Sequence, residues 1–587
     1  MKGNYFEQLV GRYLEKDGVQ APQYRNVWLW RDWPDRAGKK DNGIDLVAER
    51  QDGGFTAIQC KFYAEGHRIQ KSDIDSFISA SGKPPFTHRL IVDTTSRQWS
   101  PNAEEMLENQ HVPVQRIGLT DFRNSNIDWA TYELTNPATA PRLHEKKQLR
   151  THQHEAVNTA MKGFIDNHRG KLIMACGTGK TFTALKIAER FVEQEGHARI
   201  LFLVPSLALM SQSLKEWSDE TTQVMHAYAV CSDTKVGRQK NSDFTDVALH
   251  DLQIPATTDG ATLLEAMGSR ELDEGMTVVF STYQSIDAVS QAQKAGLPDF
   301  DLIICDEAHR TTGATLAGAE ESHFVKVNRN DVVSGAKRLY MTATPRLFND
   351  DTKNKAMERD AILCSMDDES MYGPVFYRIG FGEAVEKKLL TDYKVLVLGV
   401  EQSQVVASFQ DQLADSNMEL QIDDVAKLIG CWNGLAKRRS GLHEASFGND
   451  TAPMRRAVAF NRDIKSSKLV ESEFQDLVRV HLTNLDNDDP TDDLSVEVKH
   501  VDGGFNAITR AERLDWLKED VDAEHPNCRI LTNARCLTEG VDVPSLDAVL
   551  FLNPRNSRAR ESLCSPEDPP AVSFLCRCCR FAGWLRF

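Results

Sequence analysis

The chain reads as an α/β protein in three folded parts, a mixed α/β domain followed by two lobes that are each built on a parallel sheet. Three observations predict this. At 587 residues the chain is too long for one hydrophobic core. From Leu149 onward, short and wholly apolar runs alternate with helix-like stretches, the pattern of strands covered on both faces. A second series of the same kind follows the first, so two such sheets are expected. The composition, 41% hydrophobic and 26% charged, is that of a folded, water-facing protein.

Residues 1–135 form the first part. "NYFEQLVGRYL" has helical spacing, and "GIDLVAERQDGGFTAIQCK" reads as two strands joined by the turn "QDGG". Asp45 falls inside an apolar run. Gln59 and Lys61 lie two apart, which puts them on one face of their strand. An acid, an amide and an amine thus meet on one hairpin. "LTNPATAPRLHEKKQ" then marks a linker, 136–148, by its two prolines and polar run. The first lobe spans 149–370 with the strands "KLIMAC", "RILFLVP", "TVVFST", "DLIICDE" and "RLYMTAT". The second spans 371–555 with "YKVLVLGV", "RRAVAFN", "CRILTNA" and "AVLFLNP". The acidic "NLDNDDPTDD" between its strands reads as a solvated loop.

Charge and targeting bound the function. Lys and Arg total 69 against 86 Asp and Glu, a net charge of -17. A general basic coat is excluded, while a local basic groove for nucleic acid stays open. The amino end lacks a signal-peptide core and no run approaches 18 apolar residues, which predicts a cytoplasmic protein with no membrane partner. Its 12 cysteines are then reduced and mostly core.

"MACGTGKT" at 174–181 follows a strand and opens a helix. Main-chain N–H groups of Gly177, Thr178 and Gly179 in such a loop cradle phosphate oxygens. Lys180 would reach the β- and γ-phosphates of ATP, and the Thr181 hydroxyl would hold Mg²⁺. Met174 stands where the general pattern has glycine. "LIICDEAH" sets Asp306, Glu307 and His309 at the end of a buried strand, where a divalent metal relieves the penalty of a buried acid. Asp306 would hold Mg²⁺ through water, and Glu307 would position the attacking water.

As a set these motifs resemble the superfamily-2 helicases and translocases of the DEAH-containing kind, over roughly residues 145–555. The resemblance implies two RecA-like lobes, ATP between them and a DNA strand across the top. It assigns the adenine contact to Gln153 in "LRTHQ". "LVPS" (203–206) and "STYQS" (281–285) look like strand-contacting motifs. "TAT", with Thr342 and Thr344, looks like the element coupling hydrolysis to movement. "AFN" (459–461) and "TNARCLTEGVDVP" (532–544), with Glu539, Gly540 and Asp542, look like counterparts in the second lobe.

The hairpin then resembles the Mrr-like branch of metal-dependent nucleases, in which a Q-x-K form occurs. That resemblance implies catalysis by Asp45, Gln59 and Lys61. Asp45 would act as a Mg²⁺ ligand, and Glu7 of the preceding helix offers a further carboxylate. Nuclease, linker and motor in this order resemble the amino-terminal half of single-polypeptide, ISP-type restriction-modification enzymes acting on double-stranded DNA. Their methyltransferase and target-recognition domains are expected downstream and are absent from these residues. A transient dimer on DNA suits an enzyme with one cutting site.

Residues 556–587 break the pattern. The family's Q-x-x-G-R-x-x-R helix is missing, "SPEDPP" stops any helix, and four of the 12 cysteines fall in the last 24 residues. This reads as a truncated or frameshifted end. Arg577 and Arg580 take no role without that motif, and C-x-C-C is poor spacing for zinc. The second lobe is therefore expected to be incomplete, lacking its final strand, and the chain to be a weak or inactive ATPase. Two alternatives stay open: a motor whose first domain binds DNA without cutting, and an inactive remnant.

Overall fold

The computed structural model describes residues 2–36, 43–64, 66–95, 97, 99–108, 110–133, 136, 139–231, 249–268, 274–316, 322–348, 361–390, 394–398, 422–437, 452–483, 494–502, 505, 507–519, 527–534, 546–552 and 572–576. The chain divides into two compact units, one mainly residues 1–380 and the other mainly 381–587.

The first unit opens with α1 (Lys2–Lys16) and a five-stranded sheet of β1 (Tyr24–Leu29), β2 (Leu46–Arg50), β3 (Phe55–Lys61), β4 (Phe86–Asp93) and β5 (Val114–Ile117), in that spatial order. β1, β2 and β3 run antiparallel, while β3, β4 and β5 are parallel. Gly53 and Gly54 close the β2–β3 hairpin at φ 97 and 78, a backbone that side-chain-bearing residues rarely adopt. Alternation along the strands fills two cores. Leu46, Ile58 and Leu90 pack with Val10, Tyr13 and Leu14 of α1. Val47, Ala57 and Ile91 pack with Ile74, Phe77 and Trp99 on the other face. Asp45 precedes β2 rather than lying within it. The expected linker also carries structure: Arg142–Leu143 pairs antiparallel with Ile127–Asp128 because its amides find partners there, Arg142 N–H donating to Thr131 Oγ1 (2.9 Å) and His144 N–H to the Asn126 carbonyl (2.8 Å).

An eight-stranded, wholly parallel sheet follows in the same unit. Its order is Ala256–Thr257, Met225–Val230, Gly275–Thr282, His197–Val204, Phe300–Cys305, Gly335–Thr342, Arg169–Met174 and Val375–Ile379. This is the first RecA-like lobe. It extends past residue 370, because Val375–Ile379 completes its edge. Phe376 holds that strand by lying on two bare backbones: a Cβ at Gly163 or Gly170 would sit 2.3 or 2.0 Å from its ring.

The second unit carries a six-stranded sheet ordered Lys394–Leu398, Val572–Cys576, Ala548–Phe551, Arg456–Phe460, Asn527–Asn533 and Ser495–Val501. Its last four strands are parallel, and the strand from the tail pairs antiparallel on both sides. The absence of a final strand is therefore corrected: backbone pairing at the Ala548–Phe551 edge is taken up by Val572–Cys576, whose own ladder needs no particular side chains. Arg577, Arg580 and the motif residues Glu539, Gly540 and Asp542 lie outside the described residues. Cys176, Cys231, Cys305, Cys364, Cys431 and Cys528 are buried and Cys60 is half-buried. Among the described residues no helix is long and apolar enough to cross a membrane.

Candidate active sites

In the first lobe, strand Arg169–Met174 delivers the loop 175–179 to the amino end of helix Lys180–Glu195. Gly177 and Gly179 adopt φ 81 and 83, so only glycine keeps this backbone unstrained. Thr178 pins the loop by donating from Oγ1 to the Ala175 carbonyl at 2.6 Å. Lys180 Nζ reaches back along the loop to the Met174 carbonyl (3.4 Å) and Cys176 Sγ (3.6 Å). The Thr181 carbonyl accepts from Trp217 Nε1 at 3.1 Å, which fixes the first helical turn. The helix N-terminus, the open amides and the ammonium together form an anion cradle. Gln153 lies against it: its Nε2 donates to the Thr178 carbonyl at 3.2 Å, and its Oε1 accepts from Arg150 N–H at 2.9 Å.

Asp306 and Glu307 follow strand Phe300–Cys305, and both are buried. One strand separates theirs from the phosphate-loop strand, and all three are parallel. The acids and the loop therefore leave the same edge of the sheet, about 10 Å apart by strand spacing. Tyr283 Oη, from the "STYQS" stretch, donates to the Asp306 carbonyl at 2.6 Å. Glu307 takes φ 53, a left-handed backbone of about 1 kcal/mol or more for a glutamate. Its N–H is held by Asp306 Oδ1 at 2.9 Å. His309 joins two motifs, 3.6 Å from the Glu307 carboxylate and 3.3 Å from Thr342 Oγ1. Thr342 Oγ1 in turn accepts from Thr344 N–H at 3.2 Å.

The hairpin site is assembled as the alternation predicts. Asp45 shares its face with Val47, and Gln59 and Lys61 share theirs with Ala57; Val47 and Ala57 belong to one core. Asp45 Oδ2 accepts from Cys60 N–H at 2.7 Å, which locks the carboxylate to β3. Gln59 Nε2 donates to the Gly43 carbonyl at 2.9 Å. Its Oε1 is buried and accepts no hydrogen bond among the described residues. Such an oxygen is costly to leave unmatched, and it is a hard donor suited to Mg²⁺. Burial lowers the Lys61 ammonium below its ordinary pKa, with Asp45 and then Asp73 opposing the shift. Glu7 comes from α1. Burial, then the Asp45 and Glu7 charges, push the Cys60 thiol well up; Cys60 and α1 pack on the sheet face opposite that of Gln59 and Lys61. The donors on this face are the Asp45 carboxylate and the Gln59 amide oxygen, with Glu7 on α1; no group of three or more His, Cys, Asp or Glu able to hold a metal occurs among the described residues.

Around Lys61 stands a cluster the sequence did not reveal. Asp73 accepts from Gln70 N–H (2.7 Å) and Tyr63 Oη (3.2 Å) and lies 3.5 Å from His67. The Tyr63 and His67 rings are 4.1 Å apart. The only signal was the spacing of Gln70 and Asp73, a helix capping box. Phe77 is core.

Comparisons agree with this division. Residues 15–139 match the family model described as "Restriction endonuclease", of the Mrr catalytic type, and residues 146–347 match "Type III restriction enzyme, res subunit". Among solved structures the chain is similar to "ATP-dependent Type ISP restriction-modification enzyme LlaBIII bound to DNA". The two are 39% identical at a TM-score of 0.81, the match covering 95% of this chain and 35% of that one. It is 27% identical over 433 residues to "Probable helicase A859L" of African swine fever virus (isolate Pig/Kenya/KEN-50/1950), covering 73% of this chain and 40% of the relative. It is 26% identical over 260 residues to "Type I restriction enzyme EcoAI endonuclease subunit" of Escherichia coli, covering 43% of this chain and 25% of that subunit. The chain thus spans less than half the length of each of these proteins.

Proposed function

From a chain that joins an Mrr-type restriction-endonuclease domain to a superfamily-2 helicase domain, we propose an ATP-driven translocase on double-stranded DNA coupled to a Mg²⁺-dependent endonuclease in restriction of foreign DNA. The observation that carries the cutting half is the buried, unmatched Gln59 Oε1 beside Asp45 and Lys61. It fits a metal that the sequence alone left dependent on Asp45 and Glu7.

At the hairpin, Asp45, Gln59 and Glu7 would hold Mg²⁺, and the ion when bound supplies Lewis-acid activation of the phosphodiester and of water. Lys61 offsets the charge that builds on the phosphate as it becomes five-coordinate. At the other site, amides of residues 177–181 and Lys180 hold the ATP phosphates, with Gln153 near the base. Thr181 would hold Mg²⁺ there directly and Asp306 through water, and Glu307 would position the attacking water. The His309–Thr342 contact gives hydrolysis a mechanical neighbour.

A nicking assay on plasmid DNA with Mg²⁺ or Mn²⁺ tests the proposal. Cleavage that is lost in Asp45→Ala and Lys61→Ala while ATP turnover persists supports it, and cleavage that survives both changes refutes it. A second reading, a DNA-binding first domain that does not cut, is favoured by one observation: the site has only two carboxylates. DNA binding without nicking in either metal would select it.

A further inference from the structure

The nuclease domain and the first lobe belong to one compact unit, and the seam between them is rich in buried acids. Asp17, at the end of α1, is fully buried. Its Oδ1 accepts from the N–H groups of Val19 (3.0 Å) and Gln20 (3.1 Å), and its Oδ2 has no hydrogen bond among the described residues. Helix Leu207–Glu220 of the lobe presses on the same turn. A Cβ at Gly18 would lie 2.7 Å from Asp219 Oδ1 and 2.8 Å from the Ser218 carbonyl. Asp219 Oδ1 is likewise buried without a hydrogen bond, while its Oδ2 pairs with Lys215 at 3.0 Å. Tyr13 Oη, also buried and unmatched, faces Asp17, Asp121 and Asp219.

The remaining charges near the pair are few. Lys215 faces Asp17 and Asp219, and Glu220 and Lys147 act on Asp219. Asp121 is occupied by Gly118 N–H and Gln253 Nε2, both within 2.8 Å. Farther along, Arg116 binds Asp251 (2.6 Å) and Glu104 (2.9 Å), while Asp251 Oδ2 is buried without a hydrogen bond among the described residues. The seam is not close-packed either. A cavity of about 410 Å³ lies in it, lined by Gly18, Arg50 and His88 on one side and Ser218, Tyr228 and Ala256 on the other.

We propose that this seam is a proton-controlled joint: with Asp17 neutral the nuclease domain is held on the first lobe, and ionisation of Asp17 against Asp219 loosens it. The sign follows from the chemistry. Burial, then the Asp219 charge, raise the Asp17 pKa from 3.8 to about 6, with Lys215 and the two amides opposing. The docked form therefore binds the proton more tightly than the undocked form. Docking is strongest below about pH 4 and weakens as pH rises through about 6, by about 100-fold over those two pH units. At neutral pH the two domains stay joined by Arg116, Gln20 and Gln253, but on a weakened grip.

Hydrogen–deuterium exchange on the full chain, normalised for intrinsic rates, tests this at residues 16–23 and 218–224 between pH 4.5 and 8. Protection in the wild type is expected to fall by up to about 30-fold between pH 4.5 and 6 and then level off. Asp17→Asn, which keeps the Oδ1 acceptor, is expected to lose most of that fall, keeping only the smaller one due to Asp219, whose carboxyl burial also raises. Identical profiles for the two proteins overturn the proposal. Should Asp17→Asn fail to fold, Lys215→Met replaces it. Removing the facing cation must extend the loss of protection to higher pH, and an unmoved profile refutes the joint.

Discussion

The phosphate-loop motif and the hairpin are candidate sites of opposite construction. The first is written contiguously. Residues 177–181 and 306–309 each leave one strand end, and backbone amides carry most of the binding. The second is dispersed over α1, the residue before β2, and β3, and rests on side chains alone. A backbone cradle tolerates changes in its side chains, as Met174 in place of glycine illustrates. A side-chain site does not, so its single irregularity, Gln59, had to be compensated by geometry. Its Nε2 is tied to the Gly43 carbonyl, which leaves Oε1 buried without a hydrogen bond among the described residues.

This contrast is open to breakage by experiment. Lys180→Ala removes the only cationic side chain seen on the phosphate loop and should cut ATP turnover by roughly 10³ or more, with DNA nicking in the absence of ATP unchanged. A steady-state ATPase assay with and without DNA reads it. Lys61→Ala should do the converse, lowering nicking by roughly 10²–10³ and leaving ATPase within about twofold. If either change disables both activities, the sites are not separable. Gln59→Glu sharpens the comparison: the added charge should lower the Mg²⁺ concentration for half-maximal nicking by about tenfold, whereas Gln59→Leu should raise it, as metal titrations would report. The smallest effect concerns pH. Lys61 has a lowered pKa and acts as a cation, so nicking should decline with rising pH earlier than an ordinary lysine would allow. Lys61→Arg, which keeps its charge, should remove that alkaline limb even if overall activity drops.

Central strands were legible in the sequence because burial on both faces leaves unbroken apolar runs, as in "RILFLV" and "DLIIC". Edge strands were not. The edge strand Ser495–Val501, and Met225–Val230 one place in from an edge, interleave polar residues with apolar ones, and Val375–Ile379 is short and exposes Val375 and Arg378. Among site residues, those on contiguous motifs were found by spacing. Asp45, Gln59 and Lys61 could be put forward as candidates because strand alternation is strict. Tyr63, His67 and Asp73 were missed because a loop and a helix start bring them to Lys61, and no periodicity announces that. The seam acids Asp17 and Asp219 were invisible for a related reason: 201 positions separate them, and each alone looks like an ordinary helix-end aspartate.

Phe376 on Gly163 and Gly170 has a mechanical meaning. The chain leaves the first sheet just beyond it, so the last strand of this unit is held both by its ladder to Arg169–Met174 and by one ring in a slot that two missing side chains create. A methyl group in that slot would collide with the ring and push the edge strand off its seat, although neither glycine is itself a candidate site residue.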